Sequence, residues 1–238
     1  MEKPFAFSNR EFNAVRQKIR SLTGINLADS KDNMVYSRLS RRLRALKLTT
    51  FQAYLDYLDN HQGETEHFIN SLTTNLTSFF REAHHFEQLA EYLHVHPEPL
   101  RIWCTASSSG EEPYSIAMTC AEARGSLNTN VKIYASDIDS RMLERAKAGI
   151  YPIDQVEKLS LARRKRFFHR GTGSNAGKAR VADELRNSIY FFQQNLLAPQ
   201  YSLEPGLDIV FCRNVMIYFD KPTQEIILNR IVKLIKPN

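Results

Sequence analysis

The first 75 residues carry a hydrophobic pattern of helical period. Ser8 and Glu11 are spaced as a capping box, which marks the start of a helix. Apolar side chains then recur at helical spacing as far as Gly24, a residue type suited to a helix end. The pattern predicts three further helices, over residues 33–46, 51–59 and 64–72. Residues 1–75 are therefore predicted to form a small all-helical domain.

Beyond this region, short apolar runs alternate with amphipathic helices. The predicted strands are Arg101–Thr105, Val131–Ser136 and Asp208–Cys212, and the predicted helices are Glu112–Ala123, Ser140–Ala148 and Pro222–Ile235. Strands that alternate with helices at this spacing are typical of a doubly wound α/β fold with a mostly parallel sheet. Residues 76–238 are therefore predicted to form an α/β domain.

One segment interrupts this alternation. Residues 167–194 contain a polar loop with Gly171, Gly173 and Gly177, followed by the strongly β-prone run Ile189–Phe192. We predict that residues 167–194 form a small antiparallel β subdomain, inserted outside the main sheet.

The net charge of +6 is concentrated near the N-terminal end. Residues 1–50 contain eleven Lys and Arg against four Asp and Glu. Four of these cations lie on the polar side of the second predicted helix with no acidic residue between them: Arg38, Arg41, Arg42 and Arg44. Such a cluster is either a solvated face or a docking surface for an anionic partner, since arginine binds carboxylates and phosphates through paired hydrogen bonds.

Composition places the chain among ordinary soluble globular proteins. Its three cysteines form no CxxC pair, which argues against a disulfide framework and favours a reducing cytoplasm. No apolar run approaches the length of a membrane span, and no signal-peptide core is present. We therefore expect a cytoplasmic protein without direct membrane insertion.

No metal site is expected among the seven histidines. His84 and His85 are adjacent in the sequence, so a helix would direct their rings differently, and the remaining histidines show no ligand spacing. Cys104 is expected to be a small buried residue and not a nucleophile.

The strongest chemical signal is the stretch Cys104–Ser115, read together with Asn75–Arg81 before it. It runs from the first predicted strand through a loop of small residues into the start of a helix. In an open α/β sheet such a loop presents a helix N-terminus to a ligand. With Gly110 as its only glycine the loop lacks a dinucleotide fingerprint, and its two carboxylates suit a cationic or hydroxyl-rich ligand. Glu112 is expected to face that ligand, and Glu111 to face solvent in the first helical turn.

Asp137 ends the second predicted strand, where α/β nucleotide folds place an acidic residue against ribose hydroxyls. The alternative for Asp137 is a cap of the helix that begins at Ser140. Asp139 is the more suitable residue for that cap. We therefore predict that Asp137 binds a ribose and that Asp139 caps the helix.

Four segments occur in order and at compatible spacing: Thr73–Glu82, Ser108–Ser115, Ala135–Asp139 and Phe211–Phe219. Together they resemble the chemotaxis receptor methyltransferases, the CheR family, over a region that runs from about Phe12 to the last residue. The resemblance implies a Rossmann-like methyltransferase sheet that binds S-adenosylmethionine. It also implies methyl transfer to glutamate side chains of methyl-accepting chemotaxis receptors, which gives glutamate methyl esters and S-adenosylhomocysteine during sensory adaptation.

The resemblance also implies site residues. The cofactor-binding candidates are Asn75, Thr77, Arg81, Glu112, Asp137, Asn195, Leu196, Asn214 and Val215. A glutamate acceptor is ionised at neutral pH, so it needs desolvation and orientation more than acid–base help. Arg81 and Tyr218 are the catalytic candidates: Arg81 would hold a carboxylate, and Tyr218 would orient the acceptor or simply pack beside Phe219. Met216 and Ile217 are expected in the core.

Partners follow from the same resemblance. The cytoplasmic domain of the receptors is the expected substrate, with Arg38, Arg41, Arg42 and Arg44 as substrate-binding candidates. The 167–194 subdomain resembles one that binds a peptide at the receptor C-terminus by strand addition, although a plain structural hairpin is the alternative. We expect a monomer that binds no nucleic acid and no metal.

Two other functions remain open. One is an S-adenosylmethionine-dependent methyltransferase that acts on RNA, with the basic helix along the phosphates. The other is a non-catalytic module that docks on receptors and uses the nucleoside only structurally.

The C-terminal end also departs from the family pattern. The family continues beyond a Lys-Pro turn, whereas this chain stops after Lys236-Pro-Asn238. We expect that the C-terminal strands are missing, and that the exposed sheet edge lowers solubility or activity.

Overall fold

The computed structural model describes residues 4–237 and divides into two compact units. The first, called the helical unit, comprises Met1–Thr74, Asn195–Pro199 and Asn214–Leu228. The second, called the sheet unit, comprises Asn75–Gln194, Gln200–Arg213 and Asn229–Asn238.

The helical unit begins with the four predicted helices, each within two residues of its expected bounds: α1 (Asn9–Thr23), α2 (Asp32–Leu46), α3 (Phe51–Asn60) and α4 (Gln62–Leu72). The capping box at Ser8 and Glu11 forms as predicted, and Gly24 ends α1 in the left-handed conformation with φ of 78°. Apolar faces of all four helices form one core, with Val15, Leu39 and Phe51 fully buried. The helical prediction is therefore confirmed.

A charged group is buried among these helices. Glu64 of α4 is 5% exposed and accepts two hydrogen bonds from Arg42 of α2, from Nε at 2.8 Å and from Nη2 at 2.6 Å. The Tyr54 hydroxyl donates a third at 2.9 Å. Burial and the neighbouring carboxylate raise the pKa of Tyr54, which keeps its hydroxyl protonated as a donor. Arg42 thus neutralises a carboxylate inside the fold.

The sheet unit contains the remaining strands and most of the remaining helices. In chain order these are α5 (His84–Val95), β1 (Leu100–Cys104), α6 (Glu111–Arg124), β2 (Val131–Asp137), α7 (Ser140–Ala148), β3 (Ile150–Pro152), α8 (Ile153–Val156), α9 (Leu161–Phe167), β4 (Phe168–Arg170), β5 (Lys178–Val181), α10 (Asp183–Asn187), β6 (Ile189–Gln193) and β7 (Ile209–Phe211). One further helix, α11 (Lys221–Val232), follows β7.

The main sheet has four parallel strands in the order β6-β2-β1-β7. Cys104 of β1 pairs with Ala135 of β2 and with Phe211 of β7, and Asp137 pairs with Gln193 of β6. Since the strands are parallel, their carboxyl ends share one edge of the sheet, where ligands bind in this class of fold. The predicted fold class, a helical domain with a parallel α/β sheet and a small antiparallel sheet, is confirmed.

The predicted position of the antiparallel part is wrong. The β-prone run Ile189–Phe192 lies in β6, which pairs in parallel with β2 as a member of the main sheet. The small antiparallel sheet has the order β3-β5-β4 and therefore spans residues 150–181 instead of 167–194. β propensity indicates that a segment forms a strand but does not indicate which strand it pairs with. β3 is only three residues long, so its sequence shows no recognisable strand pattern.

None of the helices in the described part of the chain is long and apolar enough to cross a membrane.

Replacing Arg42 with methionine should lower the free energy of unfolding by about 3 kcal/mol, because Glu64 would remain buried with only a hydroxyl as its partner. Urea denaturation followed by circular dichroism measures this loss. The double variant Arg42→Met/Glu64→Leu should recover most of it, and Arg41→Met, at an exposed position of the same helix, should change stability by less than about 0.5 kcal/mol. Equal free energies of unfolding for Arg42→Met and Arg41→Met would show that the buried pair of Arg42 and Glu64 does not stabilise the fold.

Candidate active site

The loop between β1 and α6 is held against the carboxyl end of β2. Ser107 N donates to Ser136 O at 2.8 Å, and Ser108 N donates to Asp137 Oδ2 at 2.7 Å. Gly110 has φ of 101°, and an added Cβ there would lie 2.7 Å from the Tyr151 hydroxyl and 2.9 Å from Ala146 Cβ. Only glycine fits both this backbone conformation and this approach.

Asp137 is buried at the end of β2, 7% exposed. Its carboxylate accepts from Ser108 N at 2.7 Å and from Asp139 N at 2.9 Å. Burial raises the pKa of Asp137 to about 6, although these backbone donors act in the opposite direction. Asp139 caps α7 by accepting from Arg141 N at 3.1 Å and Met142 N at 3.4 Å, so the prediction that Asp139 is the cap is confirmed.

Glu112 lies at the start of α6 and is paired with an arginine that sequence reasoning missed. Arg213 Nη1 donates to Glu112 Oε2 at 2.5 Å, and the Cys104 thiol donates to Glu112 Oε1 at 3.2 Å. Burial raises the pKa of Glu112, and the charge of Arg213 opposes that rise. The signal for Arg213 was available, since this residue stands within the Phe211–Phe219 motif, two residues after β7.

The segment before α5 is joined to the same loop. Asn75 Nδ2 donates to Asp139 Oδ2 at 3.0 Å, and Asn75 O accepts from Ser108 Oγ at 3.1 Å. Thr77 follows in this segment and is half-buried. The segment and the loop therefore lie side by side next to Asp137.

Arg81 is the last residue of this segment, and Arg213 contacts the backbone of Arg81. Arg213 Nη2 donates to Arg81 O and lies 3.4 Å from Glu82 Oε2. The Arg81 guanidinium is half-buried, donates to Leu76 O at 3.1 Å and has its Nε 3.8 Å from Glu82 Oε1. Thus Asn75, Arg81, Glu112 and Asp137 are brought together in the sheet unit, with Arg213 between Glu112 and the Arg81 segment.

The expectation that Glu111 faces solvent is wrong. Glu111 is 5% exposed and accepts a hydrogen bond from Ser109 Oγ at 2.7 Å. Burial raises its pKa. The reason is that the first ten residues of α6, apart from Glu112, are all buried, so this helix has no solvent face near its N-terminus.

The other cofactor candidates lie in the helical unit. Asn195 uses its side chain within that unit, because Nδ2 donates to Leu22 O at 2.8 Å and Oδ1 accepts from Leu197 N at 2.9 Å. Leu196 is buried, and Val215 is half-buried. Asn214 has a left-handed backbone with φ of 56°. The roles of these residues toward a cofactor stay predictions.

Tyr218 is half-buried at the end of a single 3₁₀ turn, Met216–Tyr218. Its carbonyl accepts from Asn26 N at 2.7 Å. The expectation that Met216 and Ile217 are core residues is wrong: Ile217 is 76% exposed and Met216 is half-buried. A short 3₁₀ turn directs successive side chains around its axis, so an apolar run there does not face one side.

The four substrate-binding candidates divide into two pairs. Arg38 Nη1 donates to Thr73 O at 2.6 Å and to Ser71 O at 3.2 Å, and Arg42 binds the buried Glu64. Arg41 and Arg44 are exposed. Two of the four arginines therefore stabilise the helical unit, and only Arg41 and Arg44 present their charge at the surface.

The expectation that the rings of His84 and His85 point in different directions is wrong. The rings of His84 and His85 have centroids 4.0 Å apart, and their nitrogens and a Glu82 carboxylate oxygen lie within 4.8 Å of one another. A rotation of 100° per residue still lets two long side chains converge at the start of a helix. Glu82, however, also faces Arg213, and the prediction that the chain binds no metal stays a prediction.

Comparison with known sequences decides the family. Residues 75–238 match the profile described as CheR methyltransferase, SAM binding domain, and residues 10–73 match the CheR methyltransferase all-alpha domain. The chain belongs to the CheR methyltransferase family. It is 54% identical over 237 residues to chemotaxis protein methyltransferase 2 of Pseudomonas aeruginosa, a match that covers 98% of this chain and 84% of that protein.

Two further relatives agree. The chemotaxis protein methyltransferase of Escherichia coli is 50% identical over 240 residues, covering 100% of this chain and 84% of that protein. The probable chemotaxis protein methyltransferase of Rhizobium etli is 40% identical over 229 residues, covering 91% of this chain and 84% of that protein.

The residues at the carboxyl edge fit the S-adenosylmethionine of a CheR domain. Asp137 offers a carboxylate for ribose hydroxyls, and Glu112 offers one for the ammonium or sulfonium charge. Ser107 Oγ is buried without a hydrogen-bond partner in the described part of the chain, and so is Arg213 Nε. A polar ligand would supply the partners that these atoms lack.

The affinity for S-adenosylhomocysteine should fall as pH decreases from 7 to 5. Asp137 has a pKa of about 6, and only its ionised form accepts hydrogen bonds from both ribose hydroxyls. Protonation should therefore weaken binding about tenfold at pH 5 relative to neutral pH. Isothermal titration calorimetry across this range measures the effect.

Asp137→Asn should bind more weakly, and its affinity should change less with pH, because Glu112, whose pKa is also raised by burial, remains as the titrating carboxylate. Asp154→Asn, at an exposed position, should keep the profile of the unaltered protein. A constant affinity of the unaltered protein between pH 5 and 7 would rule out Asp137 as the ribose acceptor.

Proposed function

We propose that this CheR-family chain transfers a methyl group from S-adenosylmethionine to glutamate side chains of chemotaxis receptors. The products are glutamate methyl esters and S-adenosylhomocysteine. The observation that carries the proposal is that Asp137, bound to Ser108 of the loop after β1, and the Glu112–Arg213 pair, at the helix start that follows this loop, all lie at the carboxyl edge of the sheet, in a domain that matches the family's cofactor-binding profile.

The proposed cofactor site uses all the candidates predicted from sequence. Asp137 binds the ribose, and Glu112 faces the cationic end of the donor, with Arg213 as the cation that holds Glu112 in place beforehand. Arg213, which the sequence analysis missed, is added to these candidates as a residue that orients Glu112. The remaining members are Asn75, Thr77, Arg81, Asn195, Leu196, Asn214 and Val215.

The chemistry needs no proton transfer. S-adenosylmethionine, when bound, would supply the methyl group: a carboxylate oxygen of the acceptor would form a bond to the methyl carbon, the bond from that carbon to sulfur would break, and the electron pair of the broken bond would stay on sulfur as a neutral thioether. The task of the protein is therefore to hold the two reactants in line and to limit water around the carboxylate. Arg81 is proposed to hold a carboxylate of the acceptor or donor, and Tyr218 to orient the acceptor by a hydrogen bond.

Arg41 and Arg44 are proposed to dock the receptor. Both are exposed on α2, and a substrate that presents glutamates supplies the opposite charge. The helical region 1–75 would thus serve substrate docking, and 76–238 would bind the donor.

The small antiparallel sheet is proposed as the receptor-peptide site. In this three-stranded sheet β5 lies between β3 and β4, so each outer strand has an edge that could pair with an added strand. The proposal further includes a monomeric protein in the cytoplasm, in keeping with three free cysteines.

Incubation with radiolabelled S-adenosylmethionine and membranes that bear chemotaxis receptors tests the activity. Base-labile label should appear in the receptor band. Arg81→Ala should reduce transfer at least about a hundredfold, as expected when a group that orients the reactants is lost, while receptor binding stays within twofold. Arg10→Ala, an exposed arginine on α1, serves as the control.

Each alternative predicts a different result. Label in RNA would refute receptor methylation, and unchanged transfer by Arg81→Ala would remove the assigned role of Arg81. Receptor binding without any transfer by the unaltered protein would identify a non-catalytic docking module.

The docking role predicts a selective change in substrate affinity. Arg41→Ala/Arg44→Ala should raise the KM for receptor about tenfold, as expected for the loss of two interfacial charges, while kcat and the affinity for S-adenosylhomocysteine remain unchanged. The double variant Arg10→Ala/Lys221→Ala removes the same charge from exposed positions of the helical unit that lie outside α2 and should change KM less than twofold. Equal KM values for the two double variants would reject α2 as the docking surface.

A further inference from the structure

We infer that Tyr151, in the small antiparallel sheet, is a positioning residue that supports both walls of the cofactor site. One wall is the loop Ser107–Gly110, and the other is the segment Asn75–Arg81. The cofactor role of these walls rests on the proposed function, whereas the support itself is a property of the fold.

Tyr151 contacts the first wall through its hydroxyl. The hydroxyl donates to Ser109 O at 2.7 Å and lies 2.7 Å from the position that a Cβ on Gly110 would occupy. Tyr151 thus binds Ser109, whereas the neighbouring Ser108 binds Asp137 through its amide and Asn75 through its hydroxyl. The loop is therefore held at two adjacent residues, at Ser108 by Asp137 and at Ser109 by Tyr151.

Tyr151 contacts the second wall through its ring. The ring of Phe79 stands edge-on to Tyr151, with centroids 4.9 Å apart and planes at 74°. Phe79 also packs edge-on against Phe168 of β4, at 5.6 Å and 88°. Phe79 precedes Arg81 by two residues, so two aromatic residues of the small sheet anchor the segment that carries the catalytic candidate.

The position of Tyr151 is rigidly determined. It is the central residue of β3, it pairs with Ala179 of β5, and it is 2% exposed. Gly149, with φ of 62°, ends α7 directly before the strand. The small sheet thus has a second role besides any peptide binding: a displacement of β3 would move both walls of the site.

The hydroxyl and the ring can be tested separately. Tyr151→Phe removes only the bond to Ser109 and should raise the KM for S-adenosylmethionine at least fivefold, with kcat within twofold. Phe79→Leu keeps that bond but loosens the Arg81 segment, and should lower kcat at least fivefold with a smaller change in this KM.

Tyr114→Phe is the matched control. Tyr114 is also fully buried, and its hydroxyl also donates to a backbone carbonyl at 2.7 Å, but that carbonyl belongs to Ala146 in α7 and not to either wall. Its ring stands edge-on to that of Tyr151 with centroids 6.2 Å apart, and since phenylalanine keeps this ring, Tyr114→Phe changes only the bond to Ala146. A merely structural role of Tyr151 would give the same kinetic and stability changes in both variants. We expect the KM effect only for Tyr151→Phe.

Amide hydrogen exchange of the full chain tests the support independently of activity. The amides of Ser108 and Gly110 are hydrogen-bonded in the loop, and that of Phe80 is bonded to Ser115 Oγ. Tyr151→Phe should accelerate exchange at Ser108 and Gly110, and Phe79→Leu at Phe80, at least about tenfold at locally opened sites, with β1 unaffected.

Unchanged exchange at these amides in the Tyr151 and Phe79 variants, or equal changes in Tyr114→Phe, would overturn the inference. If exchange accelerates as expected but the unaltered protein binds no S-adenosylmethionine, the support by Tyr151 stands and the proposed function fails.

Discussion

Two carboxylates at the carboxyl edge of a parallel sheet, Asp137, which is buried, and Glu112, whose side chain is 12% exposed, are the constraint around which the sheet unit is arranged. Asp137 and Glu112 both lose most of their hydration there, and a buried carboxylate is costly unless donors replace that water. Asp137 is bound by two backbone amides, whereas Glu112 is bound by Arg213 and a thiol. These donors come from the loop after β1, from the turn after β2 and from the end of β7, so stabilising the carboxylates also fixes the loops of the site.

This arrangement suits methyl transfer in particular. A glutamate acceptor and a sulfonium donor already carry the charges that the reaction consumes, so the protein gains most by holding them in line in a site with little water. The residues described above are accordingly suited to orientation and charge balance. Arg213 is an example, because one guanidinium contacts the Glu112 carboxylate and the backbone of Arg81 together.

The small antiparallel sheet contacts the segment that leads to Arg81. Tyr151 and Phe168 place two of its strands against Phe79, and Arg163 of α9 stacks over Phe80 at 3.7 Å while it binds Glu122 of α6. A region that first looks like an appendage thereby stabilises the segment that carries Arg81. The small sheet therefore has a structural role that does not depend on the binding of a receptor peptide.

Local signals in the sequence predicted the four helices of the first 75 residues, the helices α6, α7 and α11, three strands of the main sheet and the ribose candidate, but not α5 (His84–Val95) or the short elements of residues 150–187. The capping box at Ser8, the left-handed glycine at position 24 and the alternation after residue 75 each act within a few residues along the chain, so they could be read without the fold. The placement of Asp137 was also predictable, because an acidic residue that ends a strand needs only the order of elements to be located.

Only the tertiary structure decided which residue partners which. β6 pairs with β2 across an interval of some fifty residues, Arg42 binds Glu64, and Arg213 binds Glu112 about a hundred residues away. The burial of Glu111 likewise depends on what packs around α6. These contacts join residues that lie far apart in the sequence, and local periodicity does not encode such pairs. For that reason the sequence predicted many of the elements and the class of chemistry, while the structure determined which charges are paired inside the fold and which lie at the surface.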